Sequence, residues 1–127
     1  MEKGILMKII AMIPARADSQ GLLNKNIKNL CGKPMIQYTI EAALGCEKID
    51  NIVVNSNCSE CLSIAGSLGV GIYQRKENLC MAETSMKEVL IDFNDNFSDF
   101  DAMIVLYPTF PLRTTEHINK IIAYFEQ

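Results

Sequence analysis

The sequence predicts an α/β fold, a parallel-sheet α/β/α sandwich, and three observations predict it. The run Met7 to Pro14 (MKIIAMIP) is apolar without alternation, as expected of a strand buried on both faces. Three further short runs of strand character follow it, and helical segments separate them. The resulting order is strand, loop, helix, strand, helix, strand, loop, helix, strand, helix. That alternation calls for a parallel sheet with helices on both faces and right-handed crossovers.

Each element has its own warrant. Pro14 closes the first strand, and residues 15–33 read as a long polar and basic loop containing Gly21 and Gly32. Pro34 suits a helix start, Ile36, Ile40 and Ala43 line one face behind it, and Gly45 marks the stop. Asn51 to Ser56 (NIVVNS) is a second, β-branched strand. Cys61, Ile64, Ala65 and Leu68 recur at helical spacing, with Gly69 placed as a C-cap. Val70 to Gln74 reads as the third strand and residues 75–84 as irregular. Met86, Val89, Leu90 and Phe93 mark the next helix. Ala102 to Leu106 is the fourth strand, closed by Pro108 and Pro111. Ile118, Ile121, Ile122 and Phe125 mark a last helix capped by Thr114 or Thr115. The expected strand order is 3-2-1-4. It places a switch point between the first and fourth strands, where residues 15–33 and 107–113 converge.

The 127 residues are expected to form one domain, 1–127, and the 49% hydrophobic share suits a soluble globular chain. No window approaches the ~18 apolar residues of a membrane helix. No signal-peptide pattern is seen, so a cytoplasmic setting is expected. The net charge of −3 disfavours nucleic acid and anionic membranes as partners. Yet residues 16–33 hold Arg16, Lys25, Lys28 and Lys33 against Asp18 alone, a basic island suited to a small polyanion such as a nucleotide. Five cysteines, an odd count, fit free thiols. Cys58 and Cys61 form a C-x-x-C, for which a redox role is a weak third reading behind simple packing of Cys61 with Ile64 and Leu68. His117 reads as a surface residue in a helix's first turn.

The loop after the first strand has the make-up of an anion cradle. Gly21 permits close backbone approach, Ser19, Asn24 and Asn26 add neutral polar groups, Arg16 offers a planar fork and Lys25 a mobile charge. Neither a Walker A loop nor a G-x-G-x-x-G fingerprint is present.

At these residues the chain resembles the acylneuraminate cytidylyltransferase family. The family pattern I-P-A-R-x-x-S-K-G-x-x-x-K-N-I is matched by Ile13, Pro14, Ala15, Arg16, Ser19, Gly21, Lys25, Asn26 and Ile27. Gly32, Lys33, Pro34, Met35, Ile36, Tyr38, Thr39, Ile40, Ala42 and Ala43 continue the match, and residues 106–113 resemble L-Q-P-T-S-P-L-R. Arg75 stands where the family has an arginine after the third strand. The resemblance implies a nucleotide-diphosphosugar-transferase-like fold and transfer of CMP from CTP to a sialic-type 2-keto sugar acid. It implies Arg16 and Lys25 as catalytic groups. Ala15, Arg16, Ser19, Gln20, Gly21, Lys25, Asn26 and Arg75 would bind the nucleotide. Tyr107, Thr109, Phe110 and Arg113 would bind the sugar acid.

The chain departs from the pattern at several positions. Gln20 replaces a lysine, Tyr107 a glutamine and Phe110 a serine, while Asn55-Ser56-Asn57 stands for S-T-D. The family's chain continues past the position of Gln127, with further strands, a dimerisation element and an aspartate pair for Mg²⁺. Mg²⁺ is thus expected for the family with its ligands absent from this chain. The expectation is a truncated, catalytically impaired nucleotidyltransferase whose fourth strand leaves an exposed sheet edge for self-association. A non-catalytic nucleotide-binding or oligomerisation module is the alternative.

Overall fold

The computed structural model describes residues 7–17, 25–81, 83–110 and 112–126. The central sheet has four parallel strands: β1 (Ile9–Ala15), β4 (Asn51–Ser56), β5 (Gly71–Gln74) and β6 (Ala102–Val105), in the order β5-β4-β1-β6. This is the order 3-2-1-4 expected for the four sheet strands. Between β1 and β4 lies a small antiparallel hairpin, β2 (Asn29–Leu30) and β3 (Lys33–Pro34). The helices are α1 (Met35–Leu44), α2 (Ser59–Ser67), α3 (Met86–Asn96) and α4 (Thr115–Phe125).

β1 shows why the sheet is layered. All seven of its residues are buried. Ile9, Ala11, Ile13 and Ala15 point to one face, where they join Ile52 and Val54 of β4 and the apolar stripes of α1, α2 and α4. Ile10 and Met12 point to the other face and meet Val53 of β4 and Val89 and Phe93 of α3. Period-two alternation in a strand flanked on both sides requires two apolar sets, and the unbroken run supplies them. Three helices therefore cover one face and a single helix covers the other.

Phe93 and Phe97 stack at 4.5 Å between centroids, and Tyr73 of β5 meets both edge-on at 5.9 and 5.5 Å. The Tyr73 hydroxyl donates to Asp92 at 2.8 Å and accepts from Asn96 at 3.0 Å. Burial, then the Asp92 carboxylate, pushes its pKa up to about 12.

Several local expectations are refined. The loop of residues 15–33 carries a helical turn at Lys25–Ile27 and then the hairpin, whose bend uses Cys31 (φ 53°) and Gly32 (φ 93°). Two-residue strands leave no periodicity to read, which is why the sequence shows only a loop there. Residues 75–84 likewise contain a short turn, Glu77–Leu79. β6 stops at Val105, one residue short of expectation. Thr114 rather than Thr115 caps α4: its hydroxyl accepts from His117 N–H at 3.2 Å, while His117 Nδ1 accepts from Thr114 N–H at 3.4 Å. Thr115 instead donates to the Ala42 carbonyl at 2.7 Å and binds α4 to α1. Gly45 ends α1 without a positive φ. It is small because a Cβ there would stand 2.5 Å from Thr115 Oγ1.

Candidate functional site

At the carboxyl ends of the strands lies an open cleft of about 440 Å³. Pro14 and Arg16 enter it from the end of β1, Asn26 from the following turn, and Arg75 from the end of β5. Tyr107, Pro108 and Thr109 enter from the segment after β6. The two segments expected to converge beside the switch point do so. The remaining wall comes from Leu79, Met81 and Thr84 and from Met86 and Val89 of α3, none of which the sequence singled out for the site.

The β1 end is held by polar contacts, and Arg16 at that end lines the cleft. Ser56 Oγ donates to the Ala15 carbonyl and accepts from Cys58 N–H at 2.8 Å. Asn57 Oδ1 accepts from Ala17 N–H at 2.8 Å. Asn26 Nδ2 donates to the Arg16 carbonyl at 3.3 Å, and Arg16 itself reaches the Cys80 carbonyl from Nη1 at 3.2 Å. The side chain of Arg16 thus bridges β1 to the segment after β5, with donors of its fork to spare.

Arg75 is the less ordinary residue. It is 4% exposed, yet among the described residues no carboxylate lies within ion-pair distance of it. Its backbone N–H donates to the Ser56 carbonyl at 2.9 Å. Nε donates to Asn55 Oδ1 at 3.0 Å and Nη2 to the Asn55 carbonyl at 3.2 Å. Burial pulls its pKa down and the neighbouring Arg16 adds to the same direction, while Cys80 and the Asp92 carboxylate act against it. Buried charges are normally paired. Two guanidiniums in one cleft, one of them buried beside neutral amide groups, make a site whose electrostatics call for an anion.

The other expected site residues fall as follows. Ala15 is buried in the core and offers its backbone alone. Phe110 and Arg113 sit just outside the cleft lining. Lys25 belongs to the short turn after the loop. Ser19, Gln20 and Gly21 lie outside the described residues. Asn55 was missed as a positioning residue. Its signal was an amide directly after the β-branched run Ile52, Val53 and Val54.

The described lining holds two arginines, one asparagine, two threonines and one tyrosine, and no carboxylate. Mg²⁺ takes hard oxygen ligands, commonly carboxylates with substrate phosphates. Among the described residues no group of three or more His, Cys, Asp or Glu side chains gathers to hold a metal. The residues described do not fit a resident Mg²⁺.

Both thiols of the C-x-x-C are buried. Cys58 and Cys61 are 6% and 0% exposed, and the Cys58 sulfur caps α2 by accepting from Cys61 N–H at 3.4 Å. Burial pushes the Cys61 thiol far up. Cys61 packs in the core with Ile64 and Leu68, as the simpler reading of its spacing holds. No helix among the described residues is long and apolar enough to cross a membrane.

A family model described as Cytidylyltransferase matches residues 10–127. The chain belongs to the cytidylyltransferase family. It is 36% identical over 119 residues to the N-acylneuraminate cytidylyltransferase of Escherichia coli O18:K1:H7, covering 94% of this chain and 28% of that protein. It is 35% identical over 121 residues to the CMP-N,N'-diacetyllegionaminic acid synthase of Legionella pneumophila, covering 91% of this chain and 52% of that one. Its fold matches a CMP:2-keto-3-deoxy-manno-octonic acid synthetase solved with CTP, at a TM-score of 0.79 and 22% identity, over 94% of this chain and 47% of the other. The chain therefore spans about half or less of the length of these relatives.

Proposed function

We propose that residues 1–127 act as one nucleotide-binding unit that takes CTP in the cleft and moves CMP to a sialic-type 2-keto sugar acid. The observation that carries this reading is the convergence of Arg16 and Arg75, the latter without an ion pair among the described residues, on one cleft at the carboxyl ends of a parallel sheet. Family membership supports it, and so do relatives whose names specify N-acylneuraminate and diacetyllegionaminate chemistry.

In this reading the acceptor oxygen bonds to the α-phosphorus as the bridging P–O bond to the β-phosphate breaks. The bond's electrons leave with pyrophosphate and the hydroxyl proton passes to water. Such a transfer is chiefly positioning and charge stabilisation. Arg16 and Lys25 neutralise the phosphates, Arg75 binds the cytosine side, and Tyr107, Thr109, Phe110 and Arg113 face the acceptor. Metal ions commonly neutralise charge in phosphoryl transfer, and Mg²⁺ would arrive with the triphosphate.

The test is calorimetric titration with CTP, with ATP as control. Micromolar, CTP-selective binding is expected; absence of binding overturns the reading.

A second reading has its own observation. β6 is the last strand at its side of the sheet, and apolar surface flanks it on both faces: Ile121 and Phe125 of α4 on one, Ile91 of α3 on the other, each more than half exposed. An open edge so flanked is a template for another strand. In this reading the chain is a non-catalytic module that pairs through β6 with a second copy. Light scattering after size exclusion decides it, and a clean monomer at high concentration rules it out.

A further inference from the structure

The described lining of the cleft carries charge of one sign. Arg16 and Arg75 are its ionised side chains, Asn26, Thr84, Tyr107 and Thr109 its neutral polar ones, and the remainder is apolar. Arg16 stands close enough for its charge to disfavour that of Arg75. The carboxylate whose charge registers at Arg75 is Asp92 of α3, which lies outside the lining. It is already engaged: Lys76 Nζ lies 3.1 Å from its Oδ1, and the Tyr73 hydroxyl donates to its Oδ2 at 2.8 Å. Glu77 and Glu83, near in sequence to the lining residues Leu79 and Thr84, are exposed and also outside the lining.

A nucleotide in this cleft brings phosphate oxygens that either a guanidinium or a divalent ion can neutralise. The donor set favours the guanidinium. A planar fork engages phosphate bidentately, and among the described residues Arg16 commits only Nη1, to the Cys80 carbonyl. Mg²⁺ instead takes hard oxygen ligands around the phosphates, commonly a carboxylate or two. Among the described residues the lining offers no carboxylate. Mg²⁺ also cancels part of the charge that draws the nucleotide in. A cleft lined by one sign of charge focuses its field on a ligand of the other sign, and the attraction grows with the ligand's net charge. The metal-free nucleotide therefore gains more here than its magnesium complex. A dication beside Arg16 and Arg75 adds repulsion where bare phosphate relieves it.

We infer that this cleft takes its nucleotide by guanidinium alone: Arg16 holds the phosphates directly, and the metal-free anion binds more tightly than its magnesium complex. Mg²⁺ that arrives with the triphosphate adds nothing to its hold. This rests on the reading of the cleft as a CTP site.

The experiment separates the inference from that reading. CTP is titrated onto the protein by calorimetry in EDTA and again in excess Mg²⁺, at matched ionic strength because salt screens charges at an open cleft. Binding is expected in both, about tenfold tighter in EDTA. Failure to bind in both overturns the CTP reading and the inference with it. Affinities within about twofold of each other, or tighter binding in Mg²⁺, leave the CTP reading standing and overturn the inference. Arg16→Lys, at an exposed position, keeps a charge and loses the fork. It should lose more affinity in EDTA than in Mg²⁺; a loss no greater in EDTA overturns the role given to Arg16. Mn²⁺ alone is then added to nucleotide-free protein and followed by its electron paramagnetic resonance signal. The free-ion signal is expected to persist at micromolar protein and metal. Its loss would show a metal site in the chain and overturn the inference.

Discussion

Arg75 and Asn55 hold each other at the carboxyl edge of the sheet: the guanidinium donates to the Asn55 side-chain oxygen at 3.0 Å and to its backbone oxygen at 3.2 Å. Asn55 is fully buried, and its Nδ2 has no hydrogen-bond partner among the described residues. The amide orients the cation without cancelling its charge. Asn55→Leu should leave Arg75 Nε buried without an acceptor and cost about 1–3 kcal/mol of stability. Arg75→Lys, with a compact ammonium in place of the fork, should lose both bonds and weaken CTP binding at least about tenfold. Denaturant unfolding and calorimetry read the two effects separately.

Arg16 makes the opposite case. Its side chain is exposed and anchored by one bond to the Cys80 carbonyl. Arg16→Ala should change stability by less than about 0.5 kcal/mol, as at other surface positions. It should still remove most CTP affinity, because the charge-assisted contact to phosphate proposed for Arg16 would be lost. Wild-type CTP affinity in this variant would exclude Arg16 from the site.

The Gly45 contact predicts non-additivity. Gly45→Ala places a methyl 2.5 Å from Thr115 Oγ1 and should destabilise by about 1–3 kcal/mol. Thr115→Ala removes the obstructing atoms and a hydrogen bond to Ala42. The double variant should be more stable than the sum of the single effects, measured by a thermal or denaturant cycle.

Tyr73 supplies a pH dependence. Its folded pKa, about 12, lies above the ordinary value of 10.0, so the neutral phenol is favoured in the folded state. The stability this contributes is complete below pH 10 and declines as pH rises toward 12. The difference in stability between the wild type and Tyr73→Phe should therefore shrink across that window. A difference independent of pH would show that Tyr73 titrates normally.

Thiol reactivity should follow exposure. Cys31 is exposed at the hairpin bend, whereas Cys46, Cys58, Cys61 and Cys80 are buried. Alkylation of the native protein at pH 8, followed by mass spectrometry, should label Cys31 first. Early labelling of Cys58 would revive the redox reading.

Much of the fold was legible because burial leaves a periodic trace. The unbroken β1 run announced a strand covered on two faces, and the stripes of α3 and α4 include the residues that meet the sheet, Val89, Phe93, Ile118 and Ile122, whereas Ile121 and Phe125 of the α4 stripe are exposed. The β2–β3 hairpin left no such trace, since it is two residues per strand and largely exposed. Arg16, Asn26 and Arg75 were legible through motif resemblance, and they share the cleft. The α3 wall of Met86 and Val89 was not, because residues that pack against the sheet and residues that face a cleft carry the same apolar pattern. Asn55 was read as one letter of a departed motif, and its grip on Arg75 depends on a register that only the paired strands define.

The unequal layering also bears on how the molecule breathes. One face of the sheet is sealed by three helices, the other by α3 alone, through Val89 and Phe93. Segments held by few buried contacts open at lower free energy than the rest, so amide exchange should be fastest in α3 among the helices and slowest in β1. Val89 also walls the cleft, so local opening of α3 would alter that wall. A molecule spanning Arg16 and Val89 would act as a clasp, slowing exchange in α3 while leaving the amides of α1 unchanged.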